Sequence, residues 1–355
     1  MNLQSRVFEL EDPGEAVDFC YEQGWTDGLP VIPPAEEKVR AVLDYLGGDA
    51  AEVLGIVPPK NGIATLEKVA INCVMGGCRP EHVPVVLAAL GAMLDEGFNL
   101  NGIETTQHPV EPLTIVSGPV VRELGFNYGD GVFGGGARAN GAVGRAVRLI
   151  LWNIGGSVPG DIAKSPMSQP GRYCFCIAEN PDPHPWGLLH AARGLPAESS
   201  AVTVVGCIPP IELYGGAPGG IYSAESFLAE TADAMATLGS NHLVFLAESL
   251  LVLGPAASRT LSEGGYSRAD VQHYLYEKAR RPLSDLAAVW YDRAAGNPRW
   301  PKWIDQTDPN TMVPIARGPE GIHVLVSGGP RAKAWCAGWH YTQAQTRAVR
   351  LPNHA

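Results

Sequence analysis

Three short apolar segments, each followed directly by a glycine–proline turn, constrain the fold more than any other feature of this 355-residue chain. They read LTIVSGPV from Leu113, LLVLGP from Leu250 and IHVLVSGGP from Ile322. Apolar runs of this length between Gly and Pro residues are typical of buried β-strands. Segments with helical apolar spacing, such as 81–97 and 267–280, lie between them. We therefore predict an α/β fold with mixed or mostly parallel sheets flanked by helices, arranged as two lobes around a central cleft.

The same pattern divides the chain into two predicted lobes. The segment 1–195 holds a cysteine-bearing turn and a glycine-rich loop, and the segment 196–355 holds a second α/β lobe with a variable tail. In open α/β sheets, ligands bind beyond the carboxyl ends of the strands, so three glycine–proline turns at one edge would frame a shared cleft. The alternative is that the turns of α/β proteins simply favour Gly and Pro.

The composition argues against two classes of partner. The formal net charge is -11 and the 26 basic residues are mostly scattered, whereas a nucleic-acid-binding surface needs clustered Lys and Arg. No apolar run approaches the ~18 residues that a membrane span needs. The first residues also lack the basic start and apolar core of a secretory signal. We therefore expect a cytoplasmic protein that binds neither nucleic acid nor membrane.

Seven cysteines, an odd number for a chain expected in the cytoplasm, argue against a disulfide framework. Two of them stand in the segment CVMGGCRPEHVP, residues 73–84. Proline is favoured at the first position of a helix, so a helix that begins near Pro80 places Cys78 at or just before the N-cap. Free N–H groups, the helix dipole and the neighbouring Arg79 would then favour the Cys78 thiolate.

The Gly-Gly pair at 76–77 would let a ligand or another part of the backbone approach Cys78 closely. Cys73, five residues earlier, is less well placed for this chemistry. The alternative interpretation is a small buried thiol in a close-packed turn, which is the commoner case for cysteines in general.

A glycine-rich loop at 129–146, GDGVFGGGARANGAVGRA, is the second candidate site. Consecutive glycines turn backbone N–H groups toward a concavity, and a helix N-terminus follows, which together favour an anion. Arg138 and Arg145 offer planar recognition of a carboxylate or phosphate. Because the loop has neither the P-loop Lys-Ser/Thr pair nor the spacing of a dinucleotide site, we predict a small carboxylate as the ligand. The alternative is a surface loop with solvated arginines.

His108 lies in the polar lead-in to the first predicted strand, where an imidazole could serve as a base or a metal ligand. The segment CFCIAEN adds Cys176, with Glu179 on the opposite face of a regular strand. Cys-x-Cys with a downstream His resembles metal-site spacing only loosely, since no Cys-x-x-Cys pair occurs in the sequence. Iron or zinc held by Cys78, His108 and Cys176 is therefore an alternative. Asp27 lies in a Thr-Asp-Gly turn, where Asp usually forms an Asx turn.

Four long sequence blocks resemble those of an uncharacterised bacterial family of similar length. They are WTDGLPVIPP, MGGCRPEHVPVVLAAL, GARANGAVGRAVRL and CFCIAENPDPHPW, in the same order as in that family, and the resemblance covers most of the chain. Members of the family are often encoded near, or joined to, a small domain with a Cys- or selenocysteine-Gly-Ser-Cys motif. The resemblance implies that this chain is one subunit of a thiol-dependent enzyme, with a small thiol- or selenol-bearing subunit as its partner.

The family pattern keeps several of the candidate positions. These are Cys78, His108-Pro109, Arg138–Asn140, Arg145 and Cys176–Asn180. Cys73 and Cys174 lie outside the pattern. The tail also departs from it, because VSGGP is followed here by RAKAWCAGWHYTQAQTRAVRLP. If this tail lines the cleft, Trp335, Trp339 and His340 would form a bulkier wall, and the substrate would differ from that of the family.

These observations lead to one main hypothesis and two alternatives. The main hypothesis is a cysteine-dependent enzyme for a small carboxylate-bearing substrate, a lyase or hydratase rather than a hydrolase, that needs no cofactor. The predicted catalytic residues are Cys78, His108 and Glu179. The predicted substrate-binding residues are Asp27, Arg79, Gly135, Gly136, Arg138, Asn140 and Arg145. The alternatives are the iron or zinc enzyme and a non-catalytic scaffold subunit of a thiol-dependent complex. In each case we expect an oligomer.

Overall fold

The computed structural model describes residues 3–213, 223–238, 241–286, 297–339 and 341–352. These residues form an α/β fold with mixed parallel and antiparallel sheets, which confirms the predicted fold class. The described helices are α1 Ala16–Glu22, α2 Glu36–Leu46, α3 Leu66–Met75, α4 Val83–Met93, α5 Leu100–Thr105, α6 Val120–Glu123, α7 Arg138–Asn153, α8 Leu189–Ala192, α9 Ala224–Met235, α10 Asn241–Phe245, α11 Pro255–Glu263 and α12 Arg268–Lys278. The described strands are β1 Val53–Val57, β2 Gly62–Thr65, β3 Glu111–Ser117, β4 Cys176–Ala178, β5 Ala201–Cys207, β6 Ile211–Glu212, β7 Ser249–Leu253, β8 Arg280–Pro282, β9 Met312–Pro314, β10 Ile322–Val326, β11 Lys333–Ala337 and β12 Gln345–Ala348.

Two four-stranded sheets form the centre of the molecule. The first has the strand order β12-β5-β3-β4; β3 and β4 are parallel, with Thr114 opposite Cys176, and the other pairs are antiparallel. The second has the order β10-β7-β11-β6; β7 and β10 are parallel, and the other pairs are antiparallel. Since β5 and β12 belong to the segment 196–355, backbone hydrogen bonds of the first sheet cross the boundary expected at residue 195.

Alternating side chains place the two sheets face to face, with helices on both outer sides. Leu113 and Ile115 of β3 share one buried cluster with Leu250 and Val252 of β7 and Leu325 of β10. The opposite faces of the strands contribute to separate clusters, the first sheet with α3, α4 and α7 and the second with α9, α11 and α12. Because both faces of each sheet are covered, the strands are apolar throughout, as the continuous apolar runs in the sequence predicted.

Two of the three glycine–proline turns lie against each other. The Gly254 N–H donates to the Ala332 carbonyl at 2.7 Å, and a Cβ on Gly254 would lie 2.1 Å from the Gly329 carbonyl oxygen. The third turn contacts a different segment, because a Cβ on Gly118 would lie 2.2 Å from the Ser199 carbonyl oxygen. Glycine is therefore needed at both positions for close packing of the backbone. The strand ends before the three turns are linked by backbone hydrogen bonds from Glu179 to Val116, from Asn180 to Val326 and from Ser327 to Leu253.

Among the described helices, no single one is long and apolar enough to cross a membrane. Residues Pro80–Met93 and Glu96–Thr105 satisfy the length and composition requirement only as a pair, with a bend of 75° between them. Most side chains of α4 are buried in the core beside the first sheet, which accounts for the apolar composition of this segment.

Candidate functional site

The end of α3 brings two cysteines together. The Gly77 N–H donates to the Val74 carbonyl at 2.9 Å, and the Cys78 N–H donates to the Cys73 carbonyl at 2.9 Å. Gly77 has a φ of 89°, in the left-handed region. These features define a Schellman motif, which ends a helix at a left-handed glycine and brings the side chains before and after the turn into contact. The turn accordingly brings Cys73 and Cys78 next to each other, and each thiol influences the pKa of the other.

The surroundings of Cys78 stabilise its thiolate. The hydrogen bond from the Cys73 thiol is the largest influence; together with His82 and the charge of Arg138, it lowers the pKa of Cys78 to about 7 against the opposing effect of burial. Cys73 is fully buried, and burial together with the neighbouring Cys78 raises its pKa well above the usual range. Of the two thiols, Cys78 is therefore the one that ionises more readily. The influence of Cys73 on Cys78 was not predicted, because Cys73 was expected to be less well placed.

His82 reaches Cys78 from the turn that precedes α4. Residues Pro80–His82 form a single 3₁₀ turn with Arg79 as its N-cap, so Cys78 lies just before the N-cap, as predicted. The Arg79 N–H donates to His82 Nδ1 at 3.2 Å. Because Nδ1 accepts this bond, the proton of the neutral ring lies on Nε2. The His82 ring is buried, with its centroid 6.4 Å from that of Phe126, which holds the imidazole in place.

Arg138, the first residue of α7, holds the glycine turn from the outside. Its Nε and Nη2 donate to the Gly77 carbonyl at 3.3 and 3.1 Å. The Cys78 thiol donates a hydrogen bond to the Ala142 carbonyl of the same helix at 3.4 Å. Arg138 is exposed, as are Gly135 and Gly136 in the preceding loop. The predicted thiol turn and the predicted glycine loop therefore meet at the amino end of α7.

The other predicted anion-binding side chains bind groups of the protein itself. The Arg145 Nε and Nη2 donate to the two Asp27 carboxylate oxygens at 3.2 and 2.8 Å, and the same guanidinium donates to two backbone carbonyls just after Asp27. The buried Asn140 side chain accepts the Asn127 N–H at 2.7 Å and donates to the Asn127 carbonyl at 3.1 Å. These residues fasten two loops to α7, so their polar groups are already occupied within the protein.

His108 is placed away from the groups that act on Cys78. It lies beyond the amino end of β3, and its ring centroid is 6.5 Å from that of Phe245. Cys176 does lie near Cys78, but burial, with smaller contributions from neighbouring thiols, raises its pKa well above the usual range. Within the described ranges, no three His, Cys, Asp or Glu residues form a group that could hold a metal ion. The geometry therefore does not assemble the iron or zinc set of Cys78, His108 and Cys176.

Glu179 lies at a separate buried position at the carboxyl end of β4. The Ser117 hydroxyl donates to Oε2 at 2.7 Å, and the Leu189 N–H donates to Oε1 at 2.8 Å. Burial raises the pKa of Glu179 to about 7, although these hydrogen bonds and the charge of Arg268 oppose the shift. The carboxyl group accepts hydrogen bonds from residues of the same chain, and it is not among the groups that shift the pKa of Cys78.

The aromatic residues of the tail do not form a wall at this site. Trp335 is fully buried in the core of the second sheet, with its ring centroid 4.5 Å from that of His242. The Trp339 ring lies 5.9 Å from that of Tyr341. His340 lies outside the described residues.

A second buried cluster, of four charged side chains, carried no signal in the sequence. Arg148 Nη1 lies 2.9 Å from a Glu104 carboxylate oxygen, and the Arg172 guanidinium contacts Glu111. Burial, followed by the charge of Glu104, raises the pKa of Glu111 to about 8. The four residues come from α5, β3, α7 and the turn before β4, so no local pattern marks them.

Comparisons with known proteins give no functional assignment. No protein-family model, curated protein or solved structure gives a significant match to this chain. The resemblance of the sequence blocks therefore stays a prediction, and the function has to be argued from the geometry around Cys78.

Two residues of the site escaped the sequence analysis although the sequence carries a signal for each. The pattern Cys-x-x-x-Gly-Cys at the end of an apolar helix places both cysteines at the contacting positions of a Schellman motif. His82 is three residues beyond the N-cap, at the position from which a side chain reaches back to the N-cap backbone in a capping box.

Proposed function

We propose that this protein is a cysteine-dependent enzyme that acts on a small carboxylate-bearing substrate. The observation that carries the proposal is the Cys78 thiolate, held beside the Cys73 thiol and the His82 imidazole. The thiolate is the reactive form of cysteine, and an adjacent base is the usual companion of a catalytic nucleophile. His82 takes the role first expected of His108, because His82 is the imidazole that contacts Cys78.

The surroundings of the thiolate favour a small anionic substrate. Cys78 is only 8% exposed, so a bulky molecule cannot reach the sulfur without displacing the turn. The exposed Arg138 side chain lies at the same turn, and it matches the geometry of a carboxylate. The amino end of α7 adds the positive end of a helix dipole beside the exposed Gly135 and Gly136.

The favoured reaction is addition–elimination, as in a lyase or hydratase. The Cys78 thiolate would remove a proton from the substrate or add to it, and His82 would carry the proton that is exchanged. A thiol with a pKa near neutrality can donate and accept a proton equally well at physiological pH. Hydrolysis through a thioester on Cys78 is the second reaction that the same groups support.

The proposal also includes a cytoplasmic location and a small partner subunit. All seven cysteines are free thiols, which fits the reducing conditions of the cytoplasm. The resemblance implies a small thiol- or selenol-bearing subunit as partner, and a disulfide exchange with such a subunit would use the same Cys78 thiolate.

The test is turnover of small unsaturated carboxylates, such as fumarate, maleate and acrylate, followed by loss of the double-bond absorbance. The wild-type chain should convert at least one of them, and Cys78→Ser should lower the rate by about 10² or more, since the nucleophile is removed. Cys174→Ser is the matched control, because Cys174 is more exposed than Cys78 while burial raises its pKa to about 11.

Full turnover by Cys78→Ser with an unchanged circular-dichroism spectrum would contradict the proposal. Turnover that is lost equally in Cys174→Ser would assign the effect to general disturbance of the fold. An isolated chain that is inert and becomes active only when a thiol- or selenol-bearing subunit is added would favour the scaffold alternative.

A further inference from the structure

We propose that Cys73 and Cys78 are a peroxide-sensitive dithiol that closes to an intramolecular disulfide. The inference rests on the same Cys78 thiolate as the proposed function, and it adds a modification site that regulates that thiolate. It is carried by the geometry of the Schellman motif at the end of α3, which places the two cysteines side by side before any oxidant arrives.

The backbone places the two cysteines where a disulfide can form. A disulfide needs the two Cα atoms about 4.4–6.8 Å apart, with the Cβ atoms directed toward each other. Here the Cys78 N–H donates to the Cys73 carbonyl at 2.9 Å, and a Schellman motif brings the side chains at these two positions together. The S–S bond would therefore join two neighbouring residues across the end of the helix.

Cys176 is the competing partner, since it also lies close enough to Cys78 for their charges to interact. Cys73 is the better partner, because a backbone hydrogen bond of the Schellman motif fixes it beside Cys78, whereas Cys176 belongs to a separate element, β4.

The chemistry has two balanced steps. In the first, the Cys78 thiolate attacks one oxygen of hydrogen peroxide, the O–O bond breaks, and the leaving hydroxide takes up a proton to become water. In the second, the Cys73 sulfur attacks the sulfenic sulfur of Cys78, the S–O bond breaks, and the hydroxyl group leaves with the Cys73 proton as a second water. The two thiols lose two electrons and two protons, and one peroxide becomes two waters.

The disulfide would act as a reversible block. It removes the thiolate and also the thiol that stabilises the thiolate, so an enzyme that depends on Cys78 is inactive while the bond persists. A dithiol reductant restores both groups by thiol–disulfide exchange. Because Cys73 captures the sulfenic acid at once, the pair also protects Cys78 from irreversible oxidation to the sulfinic acid.

The experiment is peptide mapping of the reduced, full-length chain after one equivalent of hydrogen peroxide at pH 7.5, followed by alkylation and tryptic digestion without reductant. No cleavable Lys or Arg lies between Lys68 and Arg122, because Arg79 precedes a proline. Both cysteines therefore stay on one peptide, and their disulfide appears as that peptide lighter by two hydrogens and free of alkylation. A Cys78–Cys176 bond would instead join two peptides.

The wild-type chain should give the lighter peptide, and dithiothreitol should reverse it. In Cys73→Ser the sulfenic acid on Cys78 should persist and be trapped by dimedone. In Cys336→Ser, the matched control from another thiol pair, the lighter peptide should form as in the wild type. Full alkylation of Cys73 and Cys78 after peroxide, or a cross-link from Cys78 to Cys176, would overturn the inference. If turnover still depends on Cys78 in that case, only the disulfide is wrong and the proposed function stands.

Discussion

Two thiol pairs in this molecule lie in different surroundings. Cys73 and Cys78 are neighbours at the end of α3, and Cys207 and Cys336 are neighbours between the two sheets. Burial and the neighbouring thiol raise the pKa of one member of each pair, Cys73 and Cys207, well above the usual range. The first pair also contains Cys78, whose pKa is lowered to about 7.

The two pairs differ in the other groups that surround their sulfur atoms. Cys78 is near the surface and receives the His82 hydrogen bond and the positive charge of Arg138. Cys207 and Cys336 are fully buried in a layer of apolar side chains from both sheets. Positive charge and hydrogen-bond donors favour a thiolate, and these groups reach Cys78 from outside its own pair.

The largest expected effect is the loss of fast alkylation on removal of the Cys78 sulfur. With iodoacetamide at pH 7, Cys78→Ser should remove a phase about 10²-fold faster than the labelling of any buried thiol, since only the thiolate reacts. Cys336→Ser, which breaks the other pair, should leave this phase unchanged. Mass spectrometry of the labelled peptides checks the assignment, and a fast phase on Cys207 would remove the distinction between the pairs.

The pH profile is the next test. Below its pKa of about 7, the labelling rate of Cys78 should rise about tenfold per pH unit, because the thiolate fraction rises tenfold, and it should level off above pH 7. Cys207 should show no such plateau below pH 9, since its pKa is raised. Labelling rates of the folded chain measured between pH 5 and pH 9 test this prediction. A Cys78 rate that still rises at pH 9 would show that its pKa is not lowered.

Replacing the donor of the pair should have a smaller effect. Cys73→Ala removes the largest contribution to the lowered pKa of Cys78, so its pKa should rise by about one unit and labelling at pH 6 should slow about tenfold. Cys73→Ser keeps a hydroxyl donor and should slow labelling less. Identical pH profiles for wild type and Cys73→Ala would show that His82 and Arg138 alone ionise Cys78.

The smallest effect concerns the turn itself. Gly77→Ala should lower the free energy of unfolding by about 1 kcal/mol, because φ is 89° while the nearest atom to the added Cβ, in Ile32, is 3.7 Å away. Gly141→Ala in α7 is the matched control and should raise it by about 0.5–1 kcal/mol, since nothing lies within 4 Å of its Cβ and alanine favours a helix. Urea unfolding of both variants measures the two values, and equal signs would contradict the interpretation of Gly77.

Local patterns in the sequence were enough to predict the fold class and the place of Cys78 before a helical turn. The strands that carry the core are continuous apolar runs because both of their faces are covered, which a single sequence reveals. The position of Cys78 before the N-cap follows from Pro80 alone. The proximity of Cys73 and Cys78 could have been predicted from the same stretch by recognising Gly77 as the left-handed glycine of a Schellman motif.

The internal partners of the predicted anion-binding residues could not be predicted in the same way. Arg145 meets Asp27 across 118 positions of sequence, and the buried Asn140 binds the Asn127 backbone. A sequence shows that an arginine is available to bind an anion, but it does not show whether a carboxylate of the same chain already fills that role.

The groups that ionise Cys78 come from two helix ends about sixty residues apart in sequence, and this has a practical consequence. Arg138 reaches the turn only while α3 and α7 are packed together, and Gly76 has no room for a Cβ, which would lie 2.9 Å from the Ala146 nitrogen. Partial opening of that helix pair would change the pKa of Cys78, because it would remove the charge of Arg138 and part of the burial. The labelling rate of Cys78 near pH 6 thus reports on the packing of α3 against α7 in the native state, without any engineered dye.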